Sequence, residues 1–92
     1  MNVVVRFTRP LVHRDGKGWM PSGIGSIIPD EAVSGIVDDH TVALMPPTRM
    51  EFEDSVVVLV WEQPEHTFAV SIHANLIADL TLRKEGPWTL PT

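Results

Sequence analysis

Residues 55–73, SVVVLVWEQPEHTFAVSIH, decide the fold of this chain. Ser55–Trp61 is almost continuously apolar and β-branched, which predicts a strand covered on both faces. Thr67–His73 alternates between polar and apolar residues, the pattern of a half-buried strand. The five residues between them form a connection of hairpin length. We therefore predict an antiparallel hairpin at the centre of the core, with Val58 and Phe68 inside it.

The N-terminal part of the chain predicts a further strand and a turn. Val3–Thr8 alternates, with its odd-numbered apolar residues on one side. Pro10 has no backbone N–H for a strand ladder, so this strand ends, bulges or lies at a sheet edge there. Arg14–Gly18 contains two glycines and predicts a turn. Trp19–Ile28, with its proline and glycines, predicts a loop or a short strand.

One segment has the signals of a short helix, Pro29–Asp38. Proline suits the first helical position because its missing N–H would have no partner within the helix. The two acidic residues that follow it favour the positive end of a helix dipole. Four apolar residues then recur at helical spacing and predict one buried stripe: Ala32, Val33, Ile36 and Val37.

The other segments complete a mainly β (α+β) domain. Thr41–Met45 predicts a short strand, and Arg49–Asp54 predicts a charged connection. Residues 75–86 carry both a helical capping pattern and an alternation of apolar residues, of which we favour a strand over Asp79–Lys84. The predicted fold is a small antiparallel sheet or partly open barrel with one short helix. It forms a single domain, 1–92, with an extended C-terminal tail, 87–92.

Composition and charge limit the classes of function. The 92 residues include no cysteine and carry a net charge of −5. Residues 1–20 have four basic residues against one acidic, whereas residues 30–65 have nine acidic residues against one basic. The acidic total argues against nucleic acid as the main partner, because that binding depends on neutralising phosphates. The acidic segment forms a solvated face, contacts the basic segment of a neighbouring copy, or mimics nucleic acid.

The sequence predicts neither a membrane segment nor a leader. Its longest apolar run, Val56–Trp61, is far shorter than the roughly 20 residues that cross a bilayer. The N-terminus has no long apolar region of the signal-peptide kind. We expect a soluble domain with no membrane partner.

The candidate chemical groups do not form a known catalytic or metal-binding pattern. No two of the four histidines have the spacing that places two imidazoles on one metal ion. His40, beside Asp38 and Asp39, belongs to the one compact ligand-like group, but these residue types also suit a turn. Gly23–Gly25 is a lone GxG without the lysine or the helix of a phosphate-binding loop. The sequence thus predicts no enzyme, no metal and no cofactor, with a small enzyme or ligand-binding domain as a weaker alternative.

Three tryptophans suggest an interaction surface. Trp61 ends the apolar strand and is expected in the core. Trp19 and Trp88 lie in turn-rich segments next to prolines, and tryptophan is enriched at interface hot spots. Leu90 would lie on the same side of an extended tail as Trp88. We predict Trp19, Trp88 and Leu90 as interface residues, the alternative being that the tryptophans cap the chain's own core.

Four short stretches in the first half of the chain form a recognisable pattern: Gly18-Trp19-Met20-Pro21-Ser22-Gly23, Ile28-Pro29-Asp30-Glu31-Ala32, Ile36-Val37 and Thr41-Val42. This pattern resembles small tailed-bacteriophage proteins of the virion gene cluster. In those proteins an aromatic residue and a glycine precede a short "proline, acid, acid, alanine" helix, which ends at a glycine and runs into a strand. The resemblance covers about 25 of the 92 residues, and His40 stands here near the expected glycine.

The resemblance implies a non-enzymatic structural component of a phage particle. It would be a head decoration, head-completion or tail-associated protein, acting in multiple copies in a virion assembled in the host cytoplasm. Its partners would be further copies of itself and other virion proteins. The alternative is a small acidic intracellular binding or inhibitor protein, whose acidic segment docks on a basic host protein.

Overall fold

Nine strands in three antiparallel sheets make up most of the chain in the computed structural model, which describes residues 2–23 and 27–83. The strands are β1 Asn2–Phe7, β2 Leu11–Arg14, β3 Gly18–Pro21, β4 Val33–Asp38, β5 Thr41–Leu44, β6 Arg49–Glu53, β7 Val56–Glu62, β8 Thr67–His73 and β9 Ile77–Arg83. Their sheet orders are β4-β5-β1-β9, β2-β3 and β6-β7-β8. The mainly β, antiparallel prediction is confirmed, and the sheets of the described residues do not close into a barrel.

The hairpin predicted from residues 55–73 is confirmed. β7 and β8 pair along their whole length, from Val56 opposite His73 to Glu62 opposite Thr67. Only one face of β7 belongs to the central core cluster, however, although Val60 on its other face is also buried. Val58 lies on the other face and is half-buried, so the prediction that placed it in the core is wrong. Its strand is apolar on both sides, so periodicity could not tell the two faces apart.

The core joins one face of the four-stranded sheet to one face of the three-stranded sheet. The predicted inward residues of β1 are buried, as are alternate residues of β5, β7 and β8. Side chains from the connecting segments complete the same cluster. Its members are Val3, Val5, Phe7, Ile28, Ala32, Val42, Leu44, Val57, Leu59, Trp61, Val70, Ile72 and Leu76.

The predicted helix over Pro29–Asp38 is wrong. Only Asp30–Ala32 is helical, as one 3₁₀ turn, and the chain then continues as β4. Two bulges interrupt the pairing of β4 with β5, and each adds one residue and reverses the alternation of side chains. Val33 and Ile36 therefore both pack on the core although they are three residues apart. That spacing is also the spacing of a helical stripe.

Of two further segments, the one containing β6 was predicted wrongly and the one containing β9 was predicted correctly. Arg49–Asp54, predicted as a connection, contains β6, which is an edge strand paired with β7. β9 confirms the preference for a strand in residues 75–86, after a second 3₁₀ turn at Ala74–Leu76. The predicted tail, 87–92, lies outside the described residues.

The first hairpin is held to the rest of the domain through the backbone of Trp19. β2 and β3 pair around the predicted turn. Trp19 and Ile28 then exchange two backbone hydrogen bonds of 2.8 and 2.7 Å. Gly18 has a φ of +137° and lies against Ile28 and Pro29 so closely that no side chain fits there. Within the described residues, no helix has the length and apolar character needed to cross a bilayer.

Candidate functional site

A row of polar side chains crosses the outer face of the four-stranded sheet. The strand register places Asp38 opposite Thr41, Thr41 opposite Arg6, and Arg6 opposite Asp79. The next residues along β9 extend this polar surface. Together they line a cavity of about 190 Å³, called here the polar cavity: Val4, Arg6, Asp38, Thr41, Asp79, Thr81 and Arg83.

Thr41 is the unusual member of the polar cavity. The residue is 6% exposed, and its hydroxyl oxygen is buried without a hydrogen-bond partner within the described part of the chain. A buried hydroxyl without a partner is destabilising by roughly 1–3 kcal/mol. The cavity is lined mainly by polar and charged side chains, so its chemistry is that of polar and charged contact.

The turn between β4 and β5 holds the ligand-like group identified in the sequence. Oxygen and nitrogen atoms of Asp38, Asp39 and His40 lie within 4.8 Å of one another. Asp38 Oδ1 accepts a hydrogen bond of 2.8 Å from the backbone N–H of His40. The His40 ring nitrogen Nδ1 lies 2.9 Å from Asp39 Oδ1. These contacts stay within the turn and account for the presence of these residue types in it.

The same contacts set the acidity of Asp38. The backbone N–H of His40 lowers the pKa of Asp38 below its ordinary value of 3.8, because that hydrogen bond favours the charged carboxylate. Thr41 approaches the same carboxylate and lowers the pKa further, although its hydroxyl makes no hydrogen bond of normal geometry. The Asp38 carboxylate thus serves to stabilise the turn between β4 and β5.

Two histidines connect the 3₁₀ turn Asp30–Ala32 to other elements. His13 Nε2 of β2 lies 3.1 Å from Asp30 Oδ1. His66 Nε2, in the connection between β7 and β8, lies 3.4 Å from Glu31 Oε2. All four side chains are more than one-third exposed, so each contact contributes little free energy. The contacts orient the turn relative to the hairpins on either side of it.

The three predicted interface residues have different outcomes. Trp19 is half-buried, and its ring centroid lies 4.7 Å from that of His13. Trp88 and Leu90 lie outside the described residues, so the interface assignment stays a prediction. The core assignment of Trp61 is confirmed: it is 4% exposed, donates a hydrogen bond of 3.0 Å from Nε1 to the carbonyl oxygen of Met45, and stacks on Phe68.

The most exposed large apolar side chain of the described residues was not predicted. Phe52, on the edge strand β6, is 67% exposed. It shares the inner face of its sheet with Val57 of the neighbouring strand. The signal that could have found it is the strict alternation of charged and apolar residues in 49–53, RMEFE.

No family of known proteins, no curated protein and no solved structure matches this chain. Its function therefore has to be inferred from its own residues and geometry.

Proposed function

We propose that this protein is a non-enzymatic structural component of a phage particle, acting in multiple copies. It would serve as a head decoration, head-completion or tail-associated protein. The main support is Phe52, a large apolar side chain two-thirds exposed on an edge strand. Edge strands present unpaired backbone groups, and monomeric proteins usually cover or interrupt them. In a protein that self-associates, such an edge can pair with a second copy of the chain.

The size of the domain supports the same proposal. A chain of 92 residues buries only about 60–65% of its unfolded surface. Burial between subunits adds stability that a small core lacks. The assignment to a phage particle depends on the sequence resemblance of residues 18–43, in which one 3₁₀ turn followed by β4 stands where the resemblance has a short helix. The partners, further copies and other virion proteins, follow from both observations.

One observation favours the alternative, a small acidic binding or inhibitor protein. The edge strand β6, the end of β7 and the two loops that follow these strands carry acidic residues that are all exposed. One cation, Arg49, lies among them and contacts Glu51 and Glu62. A basic protein could dock on this surface through charge complementarity. The acidic residues are Glu51, Glu53, Asp54, Glu62 and Glu65.

Two measurements separate these functions. The first is the solution mass of the purified chain from about 1 to 300 µM, by sedimentation equilibrium. The second is the copy number of the chain in purified particles of a phage that encodes it, by quantitative mass spectrometry. The structural proposal predicts self-association and several copies per particle. A stable monomer that is absent from particles and binds a basic host protein would contradict it and support the alternative.

A further inference from the structure

We infer that β6 pairs with β6 of a second copy of this chain, antiparallel, about a two-fold axis at Glu51. This interface deepens the proposed function, on which it rests, because it names the surface through which copies meet. In the described residues β6 pairs with β7 alone, so its other edge is unpaired. Alternate N–H and C=O groups of an edge strand point outward and can bond a new strand.

The charges of β6 are complementary to those of its own antiparallel copy. Arg49 stands at the start of the strand and Glu53 at its end. When all five residues overlap, each Arg49 lies opposite the Glu53 of the second copy, so the dimer has two attractive cross-strand pairs. Glu51 faces its own copy on the axis. Arg49 Nε already lies 3.3 Å from Glu51 Oε1, which offsets part of that repulsion, and the same guanidinium also contacts Glu62 of β7.

The apolar side chains of β6 agree with the same register. Met50 and Phe52 share the inner face of the strand, and the register places each opposite the other type in the second copy. Phe52 lies beside Val57, which in turn lies beside Ile72 of β8. Pairing would therefore join two three-stranded sheets into a six-stranded sheet with a continuous apolar row. It would also cover part of the exposed Phe52 ring.

Other registers satisfy these constraints less well. A shift of two residues in one direction places Glu51 opposite Glu53 twice, which is repulsive. A shift of two residues in the other direction pairs Arg49 with Glu51 but sets Phe52 against Thr48, a smaller polar residue. The register centred on Glu51 therefore combines the attractive charge pairs with apolar contact.

A disulfide test examines this register directly, because the chain has no cysteine of its own. Directly opposed residues of antiparallel strands have Cα atoms about 4.5–5.5 Å apart, a separation that a disulfide spans. Glu51→Cys should form an intermolecular disulfide nearly completely under mild oxidation at micromolar concentration. Leu82→Cys is the control: like Glu51, Leu82 is an exposed residue of an edge strand, 55% exposed, and its cysteine should remain mostly reduced.

Charge variants test the same contact without a covalent bond. Arg49→Glu should weaken self-association at least tenfold, and the double variant Arg49→Glu/Glu53→Arg should restore it. Glu51→Gln should strengthen self-association several-fold, because it removes the repulsion on the axis. Thermal melts by circular dichroism establish that each variant is folded before its mass is measured.

The outcomes distinguish the interface from the proposed function. Failure of Glu51→Cys to crosslink, together with unchanged association of the charge variants, would overturn the β6 interface. Weaker association of Glu51→Gln would overturn the register. Neither result bears on the copy number of the chain in particles, which tests the structural function separately.

Discussion

Substitution of Gly18 by alanine should destabilise this fold more than the same substitution at Gly16, which also has a positive φ. Gly18 has a φ of +137°, a conformation that residues with a side chain rarely adopt. A Cβ atom there would overlap the carbonyl oxygen of Ile28 and lie 2.8 Å from its carbonyl carbon and 2.9 Å from Pro29 Cα. All three atoms are backbone, so no flexible side chain can move aside.

The magnitude follows from two contributions. Holding a non-glycine residue in this part of backbone space costs about 1–3 kcal/mol. Relief of the overlap requires the Ile28–Pro29 backbone to move, which breaks the two hydrogen bonds between Trp19 and Ile28, each worth about 1 kcal/mol net. We therefore expect Gly18→Ala to lower the free energy of unfolding by about 3–5 kcal/mol. For a domain of this size that is a fall in Tm of roughly 12–40 °C.

Gly16→Ala is the matched control. Gly16 also has a positive φ, +75°, but nothing lies within 4 Å of the added Cβ. Its cost is the backbone conformation alone, about 1–2 kcal/mol. Both variants restrict the unfolded chain equally, so that effect cancels in the comparison. Thermal and urea unfolding should separate the two variants clearly, and equal melting temperatures would refute the close approach of β3 to Ile28.

Three further predictions concern the core, the bulged strand and the acid response. Leu59→Ala should lower the free energy of unfolding by about 2–5 kcal/mol, whereas Val58→Ala, on the half-buried face, should cost less than half as much in the same urea titration. Ile36→Ser should destabilise the domain by about 1–2 kcal/mol, because Ile36 packs on the core. Ser34→Ala, at an exposed bulge position, should stay within about 0.5 kcal/mol of the parent, and similar melts for both variants would contradict the bulged register. Because the pKa of Asp38 is lowered in the folded state, its carboxylate stabilises the fold at pH values above its ordinary pKa of 3.8, and this contribution is lost as the pH falls through the folded-state pKa. Asp38→Asn should therefore reduce the loss of stability between pH 5 and 2. An unchanged acid profile would contradict this contribution.

Local sequence patterns predicted β1, β7 and β8 and missed β4 and β6. β1 and the β7–β8 hairpin have regular alternation or long apolar runs, which sequence alone can identify. β4 carries two bulges, and these convert strand alternation into the spacing of Val33 and Ile36 that resembles a helix. β6 alternates just as regularly as β8, but it was predicted as a connection because every second residue in it is charged. An edge strand can keep one charged face because only one side of it is packed.

The candidate site was predictable only within single turns. Asp38, Asp39 and His40 are neighbours in sequence, and their grouping follows from the turn that contains them. The row that joins Arg6 to Asp79 depends on the pairing of β1 with β9, at opposite ends of the described chain. No local pattern specifies such a contact. The exposure of Phe52 likewise follows from the place of β6 at the edge of its sheet.

Amide hydrogen exchange at two protein concentrations tests the central claim, self-association through β6, most directly. The comparison is between the alternate amides of Arg49–Glu53 and those of Ile77–Arg83, the edge strand of the four-stranded sheet. Peptides spanning each strand would be followed by mass spectrometry at about 2 and 200 µM. The interface predicts that protection in Arg49–Glu53 rises with concentration while Ile77–Arg83 is unchanged. Concentration-independent exchange in β6, or new protection confined to β9, would contradict it.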